Sequence, residues 1–226
     1  MPLSPDGTST DAELSRNAAL SICTMIAICI FLTLLVFYPG VMTYDAKFVY
    51  EDIAKGTRGD WQSPVMTVLW ELVDPLAPGS ASMFLLIAAF YWLGFGLLAF
   101  TIGRRSVWLA VVALLLALSP PAFAFVGIIW RDVLLAAAWL LSASLTFAVA
   151  DRNVKLRVPT MVVALGLVAL GVLIRPNALI AAPMLAYYVV WPGRFSWQRA
   201  AIVFVPAAIG FFAIVQVVYY GALGAT

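Results

Sequence analysis

The sequence has 226 residues, of which 64% are hydrophobic and 11% are charged, with a formal net charge of +2 and a mean hydropathy of +1.03. Soluble domains are about 45–50% apolar and about 25% charged. These values exclude a soluble globular enzyme, a secreted disulfide scaffold and a disordered chain. Because a membrane-spanning helix needs ~20 mainly apolar residues, the composition predicts an all-α, polytopic transmembrane helical bundle of six to seven spans.

The same counts limit the ligands that the chain can bind. It contains no histidine, and its two cysteines, Cys23 and Cys29, both lie in the first apolar run. A zinc site needs several Cys or His ligands at set spacings, so zinc is excluded and the thiols are interpreted as packing residues. The small positive charge leaves no basic surface for nucleic acid. No cofactor is indicated, although carboxylate-bound Mg²⁺ or Mn²⁺ stays open.

The first third of the chain contains a tail, a span and a long polar loop. Residues 1–17 are polar and predict a flexible cytoplasmic tail. The run 18–38 predicts a signal anchor, because no small-residue cleavage site follows it. The stretch 39–81 is predicted to be an external loop, and it holds six of the eleven acidic residues. Apolar spacing within it predicts two amphipathic helices lying on the membrane, at 43–55 and 63–73.

The rest of the chain alternates apolar runs with short polar links. Ser119-Pro120-Pro121 must interrupt helical hydrogen bonding. We therefore expect a span before it and a short interfacial or re-entrant helix at 121–130, with one kinked helix at 106–129 as the alternative. Residues 18–226 are treated as one transmembrane module. Its later spans are predicted at about 82–102, 106–119, 131–150, 158–174, 178–191 and 200–220.

The distribution of basic residues predicts the orientation in the membrane. With the N-terminus in the cytoplasm, eight of the thirteen lysines and arginines lie on the cytoplasmic side. Most of these eight belong to short loops, where basic residues determine topology. The sequence therefore predicts a cytoplasmic N-terminus and an external loop 39–81.

Three ionisable groups lie next to predicted span ends on the external side: Asp45, Arg131-Asp132 and Arg175-Pro176-Asn177. Charges at membrane spans are costly and are functional candidates by default. Arginine binds phosphate oxygens bidentately, and a nearby carboxylate can deprotonate an attacking hydroxyl. The pattern predicts group transfer from a phosphate-bearing lipid. A structural interpretation stays open for each group: a helix cap, an interfacial snorkelling pair and a tight turn, respectively.

Two stretches of the first loop resemble a known family. They are Tyr38 to Asp45, which begins aromatic-Pro-Gly, and Gly59-Asp60-Trp61-Gln62-Ser63-Pro64. The pattern is similar to that of the GT-C class of membrane glycosyltransferases, which use polyprenyl-phosphate-linked sugars and include protein O-mannosyltransferases and lipid A aminoarabinose transferases. Arg131-Asp132 and Arg175-Pro176-Asn177 are similar to the Lys/Arg-Asp and Arg-x-Asn elements of some bacterial branches.

The resemblance implies a membrane glycosyltransferase, or its catalytic module, that transfers a sugar from a polyprenyl-phosphate donor to an acceptor hydroxyl. It implies the inner membrane of a bacterium, with reaction on the external face. It further implies that Asp45 is the catalytic carboxylate and that Arg131 and Arg175 hold the donor phosphate. The implied substrate pocket consists of Tyr44, Arg58, Asp60, Trp61, Gln62, Asp132 and Asn177.

Two departures from the family pattern leave other interpretations open. Ser63 stands where many relatives have His or Pro, and full-length relatives continue beyond this module. The chain is therefore a minimal form, a fragment, a degenerate relative, or a subunit that needs a protein partner or a missing C-terminal part. The alternative functions are a non-catalytic subunit, a lipid-binding or flippase-like protein, and a small transporter. Transporters tend to show internal repeats, and none is evident here.

Overall fold

The computed structural model of the protein describes residues 16–59, 62–150, 154–193 and 195–224. This part of the chain is almost entirely helical, which confirms the all-α class. Two short strands, β1 (Val41–Met42) and β2 (Ile128–Ile129), are the exception. The helices are α1 (Arg16–Phe37), α2 (Tyr44–Lys55), α3 (Pro64–Val73), α4 (Ser80–Gly103), α5 (Val107–Ala117), α6 (Pro120–Val126), α7 (Arg131–Val149), α8 (Val154–Ile174), α9 (Ala182–Val190) and α10 (Trp197–Gln216).

Five of the described helices are long and apolar enough to cross a membrane: α1, α4, α7, α8, and α10 with the π-helical turn that extends it to Ala222. The chain is therefore a multi-pass integral membrane protein. Helices α5 and α6 form a sixth candidate as a broken pair bent by 61°. The predicted third span at 106–119 is wrong as a complete span, because the eleven residues of α5 rise only about 16 Å against a hydrocarbon core of about 30 Å.

The predicted break at Ser119-Pro120-Pro121 is confirmed, since α5 ends before it and α6 begins at Pro120. The helix expected at 121–130 and the continuous alternative at 106–129 are both wrong at their C-terminal ends. After Val126 the chain becomes extended, and Ile128–Ile129 pairs in parallel with Val41–Met42. The pairing supplies backbone hydrogen-bond partners that a helix end would otherwise lack.

The sixth predicted span, 178–191, is a 3₁₀ helix (Pro176–Ile180) followed by the nine-residue α9. Neither helix is long enough to span the membrane, so the prediction of one continuous spanning helix here is wrong. A 3₁₀ helix rises about 2.0 Å per residue, so the segment 176–190 covers roughly 25 Å. Its far end meets the start of α8, where Arg157 Nη2 donates to the Val190 carbonyl at 3.3 Å. The segment thus returns alongside α8.

The two amphipathic helices of the long loop are confirmed as α2 and α3, within one residue of their predicted ends. Thr43 caps α2, Ser63 caps α3, and Pro64 occupies the first turn of α3, as expected for helix N-termini. Gly56 ends α2 with φ +64°, the left-handed conformation that glycine adopts readily. We call the side of the bundle that carries these helices the loop face.

Two apolar clusters meet where α7 packs on α8. One is built mainly from α1, α4, α5 and α7, and the other from α8, α9 and α10. At their junction the indole N–H of Trp139 donates to the Val168 carbonyl at 3.2 Å. Gly171 makes this contact possible, because a Cβ there would lie 2.1 Å from Trp139 Nε1.

We expect Gly171→Ala to destabilise the protein by about 1–3 kcal/mol, because the added methyl group would displace the Trp139 indole in a packed core. Thermal unfolding of the purified protein in detergent measures the effect. The matched control is Gly166→Ala on the same helix, where a Cβ would meet nothing within 4 Å. Equal melting temperatures for the two variants would contradict this packing.

Candidate functional site

The end of α1 is docked on the segment that follows α6. Gly40 has φ +94°, and a Cβ at this position would lie 2.6 Å from the Cβ of Phe84. A side chain is therefore excluded both by conformation and by space. The Val41 N–H then donates to the Gly127 carbonyl at 2.9 Å and begins the parallel pairing with Ile128–Ile129.

Thr43 fixes the position of Asp45, the predicted catalytic carboxylate. Its hydroxyl oxygen accepts a hydrogen bond from the Ala46 N–H at 3.1 Å and donates to the Ile129 carbonyl at 3.1 Å. The first bond caps α2, and the second joins the cap to the strand that precedes α7. Asp45 consequently lies in the first turn of α2, where the helix dipole favours a negative charge.

Ser63 similarly connects α3 to the C-terminal helices. Its Oγ accepts from the Met66 N–H at 3.2 Å and donates to the Leu173 carbonyl at 3.0 Å. The Tyr219 hydroxyl, at the end of the last span, lies within hydrogen-bond distance of both the Ser63 hydroxyl and the Leu173 carbonyl. The neighbouring Gln62 is held in a buried position, with 6% of its surface exposed.

These connections bring three predicted site residues together. Asp45, Gln62 and Arg131 line one crevice, which we call the carboxylate crevice. Its remaining walls are Ala46, Val49, Met66 and Trp130. The crevice is too narrow to admit a water molecule. The Arg131 Nε is buried and has no hydrogen-bond partner, so this guanidinium retains a donor for a ligand.

Asp132 and Arg175 lie in a neighbouring space, which we call the apolar cavity. Its volume is about 620 Å³, within the range of small-molecule sites. Its walls come mainly from α4, α6 and α7, and they include Tyr91, Phe125 and Trp130. Trp130 therefore separates the apolar cavity from the carboxylate crevice.

Among the described residues, Asp132 and Arg175 are the only charged ones that line the apolar cavity, and they form an ion pair. Asp132 lies in the first turn of α7, and Arg175 directly follows α8. Each charge complements the dipole at its own helix end. The two arginines to which the family resemblance assigns one phosphate, Arg131 and Arg175, thus line adjacent cavities.

The remaining predicted pocket residues do not join either cavity in the described chain. Tyr44 is 75% exposed and stacks edge-on against Phe48. Arg58 pairs with Glu71 at 3.5 Å, and Asn177 is exposed on the 3₁₀ helix after α8. Asp60 and Trp61 lie outside the described residues, as does most of the predicted cytoplasmic tail.

A small polar network holds α2 and α3 in position. The Trp70 indole N–H donates to the Gly79 carbonyl at 3.1 Å, and the Gly79 N–H donates to Asp74 Oδ1 at 2.9 Å. Burial raises the pKa of the Tyr50 hydroxyl, and the adjacent Asp74 carboxylate raises it further by its charge and by accepting a hydrogen bond. Tyr50 therefore stays protonated as a donor over the neutral pH range.

Sequence reasoning missed Trp130 as a site residue, and it missed the contact between Tyr219 and Ser63. The signals were weak: Trp130 directly precedes Arg131, and Tyr219-Tyr220 resembles an ordinary interfacial aromatic pair. No group of three or more carboxylate or cysteine side chains that could hold a metal ion occurs among the described residues.

Fold and site together define a helical, multi-pass membrane protein with two adjoining cavities on its loop face. No known protein family, curated protein or solved structure matches this chain.

We expect Ser63→Ala to lower the stability of the protein by about 1–2 kcal/mol, because α3 loses its cap and the Leu173 carbonyl loses a donor. Thermal unfolding in detergent checks the magnitude. Ser106→Ala is the matched control, since Ser106 precedes α5 without capping it. A Ser63 variant as stable as the Ser106 variant would show that the hydrogen bonds of Ser63 do not contribute to the stability of the protein.

Proposed function

We propose that this chain is a membrane glycosyltransferase, or its catalytic module, which transfers a sugar from a polyprenyl-phosphate donor to an acceptor hydroxyl. One observation supports the proposal above the others. A carboxylate, an amide and a guanidinium from three distant segments, Asp45, Gln62 and Arg131, converge in one crevice. The crevice adjoins a lipid-sized apolar cavity through Trp130.

In the proposed reaction the acceptor hydroxyl attacks the anomeric carbon of the sugar. Asp45 takes the hydroxyl proton as general base. The bond between the anomeric carbon and the phosphate oxygen breaks, and its electron pair leaves with the phosphate. Arg131, through its unpaired Nε, stabilises the negative charge that develops on the leaving oxygen. Gln62 can hydrogen-bond a sugar hydroxyl as donor or acceptor.

The apolar cavity would receive the first part of the lipid chain of the donor. Its aromatic and aliphatic walls offer burial, worth about 0.8 kcal/mol for each CH₂ group. Arg175 at this cavity would contact the phosphate from the side opposite Arg131. The carboxylate crevice is narrow as it stands, so the sugar must move α2 or Trp130 to reach Asp45.

The charges favour an external loop face. All the acidic residues of the described chain belong to the loop segment or to α7, at Asp45, Glu51, Asp52, Glu71, Asp74 and Asp132. Arg16, Arg104, Arg105, Arg157 and Arg199 lie at helix ends on the opposite side. Over the full sequence eight of the thirteen lysines and arginines belong to the side opposite the loop face. By the positive-inside rule we propose a cytoplasmic N-terminus and, from the family resemblance, a bacterial inner membrane. The partners would be membrane lipid and, for acceptor choice, a protein partner or a C-terminal part.

The narrowness of the carboxylate crevice also favours a second candidate, a non-catalytic lipid-binding subunit. Such a protein would use the apolar cavity and leave Asp45 as a helix N-terminal charge. The two functions differ in whether the Asp45 carboxylate is needed for turnover.

We expect Asp45→Asn to reduce sugar transfer by at least about 100-fold, because the amide cannot accept the hydroxyl proton. The assay reconstitutes the full chain in lipid nanodiscs with a panel of polyprenyl-phosphate sugars and measures the release of polyprenyl phosphate. The control is Glu51→Gln on the same helix, which breaks only an exposed pair with Lys55. Full activity of the Asp45 variant would refute the base assignment, and an inactive wild type across the panel would favour the lipid-binding subunit.

A further inference from the structure

The apolar cavity contains one guanidinium, that of Arg175, and it is already paired within the protein. The Arg175 guanidinium is paired with Asp132, and the side chains of both are about one-third exposed, at 35% and 32% respectively. A carboxylate and a phosphate present similar oxygen acceptors to the planar guanidinium. A phosphate that approaches Arg175 therefore competes directly with Asp132.

The rest of the cavity determines which phosphate compounds can compete successfully. Apart from Asp132 and Arg175, its lining is aromatic or aliphatic. A free phosphate ion would lose hydration there without gaining apolar contacts. A phosphate with a hydrocarbon chain gains both the guanidinium and the burial of its CH₂ groups.

We propose that Asp132 is an internal competitor for Arg175, which holds the guanidinium while the apolar cavity is empty and is displaced when a phosphate-headed amphiphile binds. The inference rests on the proposed function for the class of ligand, and it assigns Asp132 a role of its own. Asp132 weakens binding of the phosphate head and speeds its release. A lipid-phosphate product therefore does not stay trapped on Arg175.

A purely structural role for the pair predicts the opposite result. As a clamp, the pair would hold the start of α7 to the end of α8, and loss of Asp132 would loosen the cavity and weaken binding. As a competitor, Asp132 opposes phosphate binding, and neutralising Asp132 strengthens that binding. The sign of the change in affinity separates the two roles.

The test measures binding to the full chain in nanodiscs by isothermal titration with dodecyl phosphate, dodecanol and inorganic phosphate. We expect Asp132→Asn to bind dodecyl phosphate roughly fivefold more tightly than the wild type, as for loss of a partly exposed ion pair. Arg175→Gln should bind it about tenfold or more weakly. Inorganic phosphate should bind much more weakly than dodecyl phosphate, because it leaves the apolar walls unused.

Three further variants serve as controls for misfolding and for non-specific effects on binding. Glu51→Gln breaks an exposed ion pair elsewhere on the loop face and should leave binding unchanged. Ala136→Phe fills the cavity without altering charge and should weaken dodecyl phosphate about fourfold, as for one lost CH₂ contact. The double variant Asp132→Asn with Arg175→Gln removes both charges of the pair, and it should bind dodecyl phosphate more weakly than Asp132→Asn alone, because the gain acts through Arg175.

Weaker or unchanged binding by a folded Asp132→Asn variant overturns the proposal, as does a double variant that binds dodecyl phosphate as tightly as Asp132→Asn alone. Equal binding of inorganic and dodecyl phosphate overturns the choice of an amphiphile. None of these measurements requires sugar transfer. Loss of the proposed glycosyltransferase activity is therefore distinguishable from loss of the competition at Arg175.

Discussion

The structure depends on one short backbone pairing. Buried backbone N–H and C=O groups need hydrogen-bond partners within the protein. Helix α1 ends at Phe37 and helix α6 ends at Val126, and after a short turn each segment becomes extended, at Val41 and at Ile128. The pairing of Val41–Met42 with Ile128–Ile129 satisfies both segments at once. The strands are parallel, so the two segments leave the pairing in the same direction.

This direction determines where the candidate residues Asp45 and Arg131 lie. Asp45 follows β1 by three residues, and Arg131 follows β2 by two, so both emerge on the same side of the pairing. Thr43 strengthens the arrangement by its bond to the Ile129 carbonyl. Successive residues on a helix point about 100° apart, so Arg131 and Asp132 at the start of α7 line different cavities. A single Arg-Asp dipeptide thereby contributes to the lining of two cavities.

Much of this architecture was predictable because its determinants are local. Apolar runs predict the long spans, and Thr43 and Ser63-Pro64 predict the starts of α2 and α3 through capping chemistry. The parallel pairing was not predictable, since two-residue strands show no alternation of apolar and polar side chains. The same holds for the 3₁₀ helix after Arg175, because its residues 178–180 continue directly into the apolar run that contains α9.

Several residues of the two cavities were predictable, but their arrangement was not. Asp45, Arg131 and Arg175 stand out because charges next to membrane spans are costly. Their partners depend on the packing of helices far apart in the chain. The pairing of Arg175 with Asp132 joins residues 43 positions apart, and the Tyr219–Ser63 contact joins residues 156 apart.

Trp130 is shared by the two cavities. Its side chain forms a wall of both, and it directly precedes Arg131 at the start of α7. Packed interiors rearrange by switching between discrete arrangements rather than by gradual deformation. A chain that enters the apolar cavity and displaces Trp130 would therefore also widen the carboxylate crevice. Filling the cavity and opening the path to Asp45 would then be one structural event.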